Sequence, residues 1–228
     1  MKKVLLVLFT ALLLGASALA ADAPEPAGYI ALTFDDGPSG PITEALLDGL
    51  RERGAHATFF LCGYRMKEYP GPLLRYLAEG HELGVHSTEH LDLTGLDRER
   101  LREDLGVTAQ MIRDVTGRAP TLMRPPGGAY NDRVRSEAKD LGLSVVLWSV
   151  DPRDWASKDA SAVREAMAGS AGDGDVILMH DMSRSSVEAA LGLIDALAPR
   201  GYRFVTVSEL FARKGQTLTP GEVYDRAK

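Results

Sequence analysis

Residues 29–38 have the sequence YIALTFDDGP, in which a short apolar segment ends in two adjacent carboxylates and a Gly-Pro pair. Adjacent acidic side chains repel each other, so their position at the end of a predicted strand needs an explanation. One explanation is a metal site in which one carboxylate binds the ion and the other transfers a proton. The alternative is a surface turn, because Asp-Asp-Gly-Pro is also favourable turn chemistry. The rest of the sequence has to decide between the two.

This apolar segment is one of several that alternate with helical patterns along the chain. The segments are rich in Val, Ile, Leu and Phe and lack strict alternation, which is typical of strands buried on both faces. Candidate strands span residues 29–33, 57–61, 83–85, 122–124, 144–148, 176–179 and 204–207. Helices are predicted at 41–53, 97–116, 131–141, 158–168 and 186–198. The repeated β-α order predicts a single α/β domain with about seven parallel strands, either closed as a barrel or open and doubly wound.

Polar side chains with catalytic potential follow most of the predicted strands. In folds built from β-α units, functional residues collect at the carboxyl ends of the strands. A barrel would bring them to one rim, whereas a random placement would scatter them over both ends. The residues concerned are Asp35, Asp36, His86, Arg124, Asp151, Asp154 and His180. His56 and His81 lie outside this set and are expected to be structural.

The composition fits one substantial globular domain and excludes some partners. The chain has 228 residues, of which 45% are hydrophobic, and a formal net charge of −6. Because no Lys/Arg cluster stands out, a nucleic-acid partner is not expected. The single cysteine, Cys62, rules out an intrachain disulfide and is expected to be a small buried apolar residue.

The N-terminal residues predict export from the cytoplasm. Lys2 and Lys3 precede an apolar stretch, and the sequence ALA at 18–20 supplies the small residues of a signal peptidase site. We therefore expect a signal peptide at 1–20, a linker at 21–28, the folded domain at 29–213 and a loose C-terminal tail at 214–228. An uncleaved membrane anchor is the alternative for the first segment. In either case the domain is expected outside the cytoplasm, secreted or at the cell envelope.

His86 and His90 are four residues apart, a spacing at which two imidazoles share one face of a helical turn and can bind one ion. With Asp36 as a third ligand, they would leave an open position for water, as in a catalytic zinc site. The same residues match the H-x-x-E-H pattern of inverzincin peptidases, with Glu89 as the general base. Such a peptidase needs a long zinc-binding helix, however, and the glycines on either side of the pair favour a short turn.

Five motifs occur in the order of a known family. They are TFDDG at 33–37, HSTEH at 86–90, RPPGG at 124–128, DPRDW at 151–155 and LMH at 178–180. With these motifs the chain resembles the polysaccharide deacetylases of the NodB-homology type, carbohydrate esterase family four. The resemblance implies a distorted (β/α) barrel. One departure is Gly127, where many members carry an aromatic residue, and it affects the expected wall of the substrate site.

The resemblance implies a metal centre with a general base beside it. Asp36, His86 and His90 would bind a divalent metal, with zinc expected and cobalt or nickel as alternatives. The metal would lower the pKa of bound water and polarise the acetyl carbonyl. Asp35 would be the general base, with a role as a second metal ligand as the alternative. Arg124 would orient Asp35 and keep it ionised, or would form a plain structural salt bridge.

The resemblance also implies a general acid and an oxyanion donor. His180 would protonate the departing amine, and a nearby carboxylate would keep it cationic by raising its pKa. Asp154 is the expected partner, with Asp151 as the second choice. The oxyanion would be stabilised by the metal and by the backbone N–H of Gly127.

Three further residues are expected to contact the substrate. Trp155 and Leu178 would form the apolar pocket for the acetyl methyl group, although Leu178 also fits a plain core role. Tyr130 would reach the sugar.

The implied reaction is hydrolysis of N-acetyl groups on an N-acetylglucosamine-type glycan, either peptidoglycan or a chitin-like polymer, to free amine and acetate. The alternatives are an O-acetyl esterase acting on acetylated xylan, a non-catalytic glycan-binding protein and the zinc peptidase described above. No obligate protein partner is implied, and a membrane is involved only if the N-terminal segment stays uncleaved.

Overall fold

A computed structural model of the chain describes residues 25–228. The predicted signal peptide and the first half of the predicted linker therefore lie outside the described residues. The strands are β1 (Gly28–Asp35), β2 (Ala57–Cys62), β3 (Glu82–Ser87), β4 (Leu122–Met123), β5 (Ser144–Val146), β6 (Val176–His180), β7 (Tyr202–Phe204) and β8 (Val223–Tyr224). The helices are α1 (Pro41–Glu52), α2 (Gly63–Glu68), α3 (Leu73–Ala78), α4 (Arg98–Thr116), α5 (Asp132–Asp140), α6 (Ala160–Ser170), α7 (Arg184–Leu197) and α8 (Val207–Arg213).

The strands form one curled sheet in which the pairings between named strands are parallel. The order is β6-β1-β2-β3-β4-β5-β8, and β7 pairs with the first residues of β1. Helices cover the outer face of this curl. The predicted α/β barrel with about seven parallel strands is therefore confirmed, in the distorted form of a half-barrel.

The five predicted helices are present, and all but α1 start at a residue whose side chain caps the first turn. The side chains of Asp97 and Asn131 accept hydrogen bonds from the first turns of α4 and α5, which satisfies N–H groups that have no partner within the helix. Three further helices, α2, α3 and α8, were not predicted, because helices of six or seven residues are too short to establish a 3.6-residue period. Within residues 25–228, no helix has both the length and the apolar character needed to cross a membrane.

The C-terminal residues 214–228 are not a loose tail as predicted. β8 adds to the sheet edge beside β5, and Ala227 is buried, with its N–H donating to the carbonyl of Gly174 at 2.9 Å. Arg226 forms an ion pair with Asp175 at 3.3 Å. A two-residue strand leaves no recognisable pattern in the sequence, so only the fold reveals this packing.

Successive side chains of each strand point to opposite faces of the sheet, and β1 illustrates the consequence. Its outward residues belong to the large core between sheet and helices, and these are Ile30, Leu32 and Phe34. The alternate residues face into the curl and change from apolar to polar toward the carboxyl end, in the order Ala31, Thr33, Asp35.

A second, smaller core fills the amino end of the curl. α8 contributes Val207, Leu210 and Phe211, which lie in one apolar cluster with inward residues such as Phe60 and Val176. Burial of these side chains excludes water from this end of the curl. The polar residues at the carboxyl end therefore rest on an apolar base, and the candidate site lies there.

Candidate active site

Three potential metal ligands converge where β1 and β3 end. The Nε2 atoms of His86 and His90 lie 3.2 and 3.1 Å from Oδ1 of Asp36. A tetrahedral zinc ion with bonds of about 2.0–2.1 Å sets its ligand atoms roughly 3.3 Å apart. Oδ1 of Asp36 is buried and accepts no well-directed hydrogen bond from the residues that the structure describes. Two imidazoles and one carboxylate in this arrangement fit a divalent metal.

The backbone places these ligands in a different way from the expected helical turn. His86 lies on β3, and its Nδ1 is 2.8 Å from the carbonyl of Arg124, so Nδ1 carries the hydrogen and Nε2 is free to bind an ion. His90 lies in the loop that follows, with a φ of 56°, and Asp36 has a φ of 71°. Left-handed conformations cost such residues on the order of 1 kcal/mol each and are often found at functional sites.

The H-x-x-E-H interpretation fails on the same geometry. In the part of the chain that the structure describes, residues 86–90 occupy a strand end and a loop, and no zinc-binding helix carries the two histidines. Glu89 is exposed. The peptidase hypothesis needed that helix to present both imidazoles and the glutamate to one ion.

The charges in the trio reinforce each other. Burial alone would raise the pKa of Asp36, but the two imidazoles outweigh burial and hold this pKa well below its usual range. The neighbouring Asp36 carboxylate in turn raises the pKa of His90. Asp36 is therefore ionised at neutral pH, as a metal ligand has to be.

Asp35 is held by a fully buried arginine. Arg124 has 0% exposure, and its Nη1 donates to Oδ1 of Asp35 at 2.8 Å and to Oγ1 of Thr33 at 2.7 Å. Its Nε and Nη2 donate to the carbonyls of Val146 and Leu147 at 3.0 and 2.7 Å. Burial lowers the pKa of Arg124, and the Asp35 carboxylate opposes that shift. The guanidinium is thus fixed on all sides and orients one carboxylate oxygen of Asp35.

The two adjacent acids have different surroundings. Oδ2 of Asp35 lies 3.9 Å from Nε2 of His86, farther than the 3.2 Å that separates this nitrogen from Oδ1 of Asp36. Asp35 is the last residue of β1 and faces into the curl, whereas Asp36 has left the strand. Thr33 begins the same motif but was not among the predicted site residues, and it shares the Arg124 guanidinium with Asp35.

His180, at the end of β6, is paired with a buried carboxylate. Its Nδ1–H donates to Oδ1 of Asp154 at 2.9 Å, and its backbone N–H donates to Oδ2 at 2.9 Å. Burial would lower the pKa of His180, but Asp154 outweighs it and raises this pKa to about 8. Asp151 is exposed and accepts the backbone N–H of Arg153 at 2.8 Å. The structure thus brings Asp154, and not Asp151, to the histidine.

The residues expected to contact the substrate differ in exposure. Leu178 is 4% exposed and lies on the inward face of β6, two residues before His180 and opposite Thr33. Trp155 and Tyr130 are 60% and 41% exposed. The structure therefore places Leu178 beneath the polar residues and the two aromatic side chains on the surface.

Gly127 adopts a backbone conformation that suits glycine. Its φ is 62°, and a Cβ added there would meet nothing within 4 Å. Glycine is thus favoured here by conformation and not by lack of space, because a left-handed φ is costly for other residues. An aromatic residue at this position would have space but would be strained in this conformation by on the order of 1 kcal/mol.

Comparison with known proteins identifies the family. The family model for polysaccharide deacetylases matches residues 22–146, more than half of the chain. The chain belongs to the polysaccharide deacetylase family. This confirms the resemblance that the five motifs predicted.

Two curated relatives act on peptidoglycan according to their names. The chain is 43% identical to the peptidoglycan-N-acetylmuramic acid deacetylase PdaC of Bacillus subtilis over 187 residues, which cover 82% of this chain and 39% of PdaC. It is 40% identical to the peptidoglycan-N-acetylglucosamine deacetylase PgdA of Listeria monocytogenes, again over 82% of this chain, and 40% of PgdA is covered. The chain thus spans about two fifths of the length of these relatives.

Solved structures of a peptidoglycan deacetylase and of an acetyl xylan esterase share the fold. The structure of PdaC from Bacillus subtilis matches with a TM-score of 0.79 and 41% identity, covering 85% of this chain and 94% of that structure. A family 4 acetyl xylan esterase from Clostridium thermocellum, in complex with a cobalt ion, matches with a TM-score of 0.81 and 30% identity. In that comparison, 87% of this chain and 98% of the esterase are covered.

Proposed function

We propose that the protein is a metal-dependent deacetylase that hydrolyses N-acetyl groups of peptidoglycan. One observation carries the proposal: the ligand trio lies beside an Arg124-held carboxylate, and the rim also carries a histidine whose pKa a carboxylate raises. Amide hydrolysis needs a base for the attacking water and an acid for the leaving amine, and the two sides of this rim supply one of each.

The protein's own residues supply the proton transfers. Asp35, oriented by Arg124, takes a proton from the attacking water as the bond between water oxygen and acetyl carbon forms. His180, kept cationic by Asp154, donates its proton to the glycan nitrogen as the C–N bond breaks. The Gly127 N–H donates to the oxyanion. The products are acetate and a free amine.

The metal would be held by Asp36, His86 and His90. When bound, it supplies Lewis-acid activation of water and of the acetyl carbonyl. Zinc suits two imidazole nitrogens and one carboxylate oxygen, although other divalent metals accept the same donors. Reconstitution of the metal-free protein with zinc, cobalt and nickel tests the metal. We expect zinc to restore activity, and a protein that is equally active without metal would contradict the proposal.

Peptidoglycan is favoured over other glycans by the relatives. PdaC and PgdA, at 43% and 40% identity, are named for N-acetylmuramic acid and N-acetylglucosamine of peptidoglycan, whereas the acetyl xylan esterase is 30% identical. An O-acetyl ester would be hydrolysed by the same groups, so the substrate has to be determined by experiment.

Acetate release across a substrate panel is the direct test. Peptidoglycan, chitin oligomers and acetylated xylan are incubated with the wild-type protein, with a chelator-treated sample and with Asp35→Asn as the inactive control. We expect release from peptidoglycan, loss with the chelator and recovery with zinc. Release from xylan alone would replace the proposal with an O-acetyl esterase, and binding without release would indicate a non-catalytic protein.

We also propose that the domain acts outside the cytoplasm, at the cell envelope or in secreted form. The Lys2-Lys3 start, the apolar stretch and the small residues at 18–20 support export, and peptidoglycan lies outside the membrane. N-terminal sequencing of the protein after expression in a bacterial host tests the proposal. Cleavage after Ala20 is the expected result. Full-length protein that remains in the cytoplasm would contradict export.

A further inference from the structure

A buried carboxylate behind the site takes no part in the reaction described above. Asp181 follows His180 directly and is 0% exposed. Its Oδ2 accepts the hydroxyl of Thr43, on the first turn of α1, and its Oδ1 has no hydrogen-bond partner among the described residues. Burying a carboxylate costs free energy unless it is paired or hydrogen-bonded, so the position of Asp181 needs an explanation.

The carboxylate of Asp181 lies directly against the turn that follows Asp36. A Cβ added to Gly37 would come within 2.4 Å of Oδ1 of Asp181, which places this oxygen against the glycine backbone. Two residues further along, the N–H of Ser39 donates to Oγ1 of Thr43 at 2.7 Å. The Asp181–Thr43 pair therefore contacts the turn at both Gly37 and Ser39.

This turn has to hold a strained ligand. Asp36 has a left-handed φ of 71°, and its Oδ1 has to stay about 3 Å from the two histidine nitrogens. Groups that orient a ligand from behind typically change metal affinity 10–100-fold when they are removed. The Asp181–Thr43 pair is placed to resist movement of Asp36 away from the trio.

We propose that Asp181 is a positioning residue for the metal ligand Asp36, acting through Thr43 and the turn from Gly37 to Ser39. The inference rests on the metal site of the proposed function. The end of β6 then serves two purposes, because His180 faces into the site while Asp181 fixes the turn that follows β1.

The chain contains a matched control for this pair. Thr58, at the amino end of β2, is also fully buried and donates to a carboxylate oxygen, Oε2 of Glu82, at 3.0 Å. Its hydroxyl accepts the backbone N–H of Val207 at 2.9 Å, as Thr43 accepts that of Ser39. Thr43→Val and Thr58→Val thus remove the same kind of hydrogen bonds at opposite ends of the barrel.

The test compares zinc affinity and stability in the two variants. Metal-free protein is titrated with zinc in competition with a chelating dye, the cobalt-loaded form is examined by absorption spectroscopy, and unfolding is followed in urea. We expect Thr43→Val to weaken zinc binding about tenfold and to alter the cobalt spectrum. Thr58→Val should leave both unchanged while lowering stability by a similar amount. Asp181→Asn should weaken zinc binding at least as much as Thr43→Val.

Equal zinc affinity in wild type, Thr43→Val and Thr58→Val would overturn the inference and leave Asp181 with a structural role only. Thr43→Val keeps the test valid if Asp181→Asn does not fold. The readout is independent of the proposed reaction. A wild-type protein that binds zinc without releasing acetate would contradict the proposed function alone, whereas unchanged affinity in Thr43→Val would contradict the positioning role alone.

Discussion

Each end of the barrel carries a pair of histidines, and the two pairs behave in opposite ways. At the carboxyl end, the rings of His86 and His90 lie 5.2 Å apart, and both Nε2 atoms approach one carboxylate oxygen. At the amino end, the rings of His56 and His81 lie 6.2 Å apart and edge to face. Ring spacing alone therefore does not distinguish a metal site from a structural pair.

The buried histidines at the two ends differ in whether a carboxylate contacts the imidazole. Nδ1 of His81 accepts the backbone N–H of Ala57 at 3.2 Å, and burial lowers the pKa of His81 to about 4. His180, buried at the other end, has its pKa raised to about 8 because Asp154 contacts it. Burial thus lowers the pKa of His81, whereas contact with Asp154 raises the pKa of His180 in spite of its burial.

The largest expected effect on activity comes from replacing the carboxylates of Asp35 and Asp36 one at a time. Asp35→Asn removes the base but leaves the trio intact, so we expect kcat to fall by about 10³-fold with zinc still bound. Asp36→Asn should lose zinc first and activity with it. Zinc content and acetate release, measured on both variants, separate the two roles. A robustly active Asp35→Asn enzyme would contradict the role of Asp35 as base.

A smaller effect is expected when the carboxylate is removed from His180. The acid form of His180 is present below its pKa of about 8 and is lost above it. In Asp154→Asn, only the more distant charges of Asp35 and Asp36 still oppose burial, so this pKa falls and the alkaline limb of the rate profile moves to lower pH. Activity at pH 7 should drop about tenfold, because most of His180 is then neutral.

Asp151→Asn is the control for that pH profile. Asp151 belongs to the same motif but is exposed. Its side chain accepts the backbone N–H of Arg153, whereas His180 is hydrogen-bonded to Asp154. The alkaline limb of the rate profile of Asp151→Asn should coincide with that of the wild type. An unchanged limb in Asp154→Asn would show that another group governs the alkaline decline.

The contrast between the two ends explains how far the sequence could predict the site. The residues that follow strands were predictable, because parallel strands present their carboxyl ends together. The pairing of Asp35 with Arg124 was implied by the family resemblance. Thr43 and Asp181 were not predictable. Their relation depends on a contact between the first turn of α1 and the end of β6, which are 138 positions apart and have no shared pattern. The packing of residues 214–228 was not predictable for the same reason.

At the amino end, the comparison predicts an effect on stability and not on catalysis. His81 has a folded-state pKa of about 4, against 6.5 for an unperturbed histidine, so the unfolded chain takes up the proton first as the pH falls. Its contribution to stability is complete above pH 6.5 and is lost toward pH 4, by on the order of 3 kcal/mol. We expect His81→Gln to reduce this acid-dependent loss, while kcat at pH 7 stays within about twofold of wild type.

Urea unfolding of the metal-free protein at several pH values between 7 and 4 measures this effect as the difference between wild type and variant. His56→Gln, which changes the more exposed member of the pair, is the matched control and should retain most of the wild-type acid dependence, because burial is a larger cause of the lowered His81 pKa than the charge of His56. If His81→Gln loses stability toward pH 4 as steeply as the wild type, burial of His81 is not the cause.

The smallest expected effect belongs to Glu89, which lies in sequence between the two ligand histidines. Glu89→Gln should leave acetate release within about twofold of wild type, because the exposed side chain has no role in the proton transfers. In a peptidase of the H-x-x-E-H type, the same substitution would remove the general base and abolish activity. The variant thus tests whether position in the fold or position in the sequence makes a carboxylate catalytic. The neighbouring Asp35, distant in sequence from both histidines but on the same rim, should be indispensable where Glu89 is not.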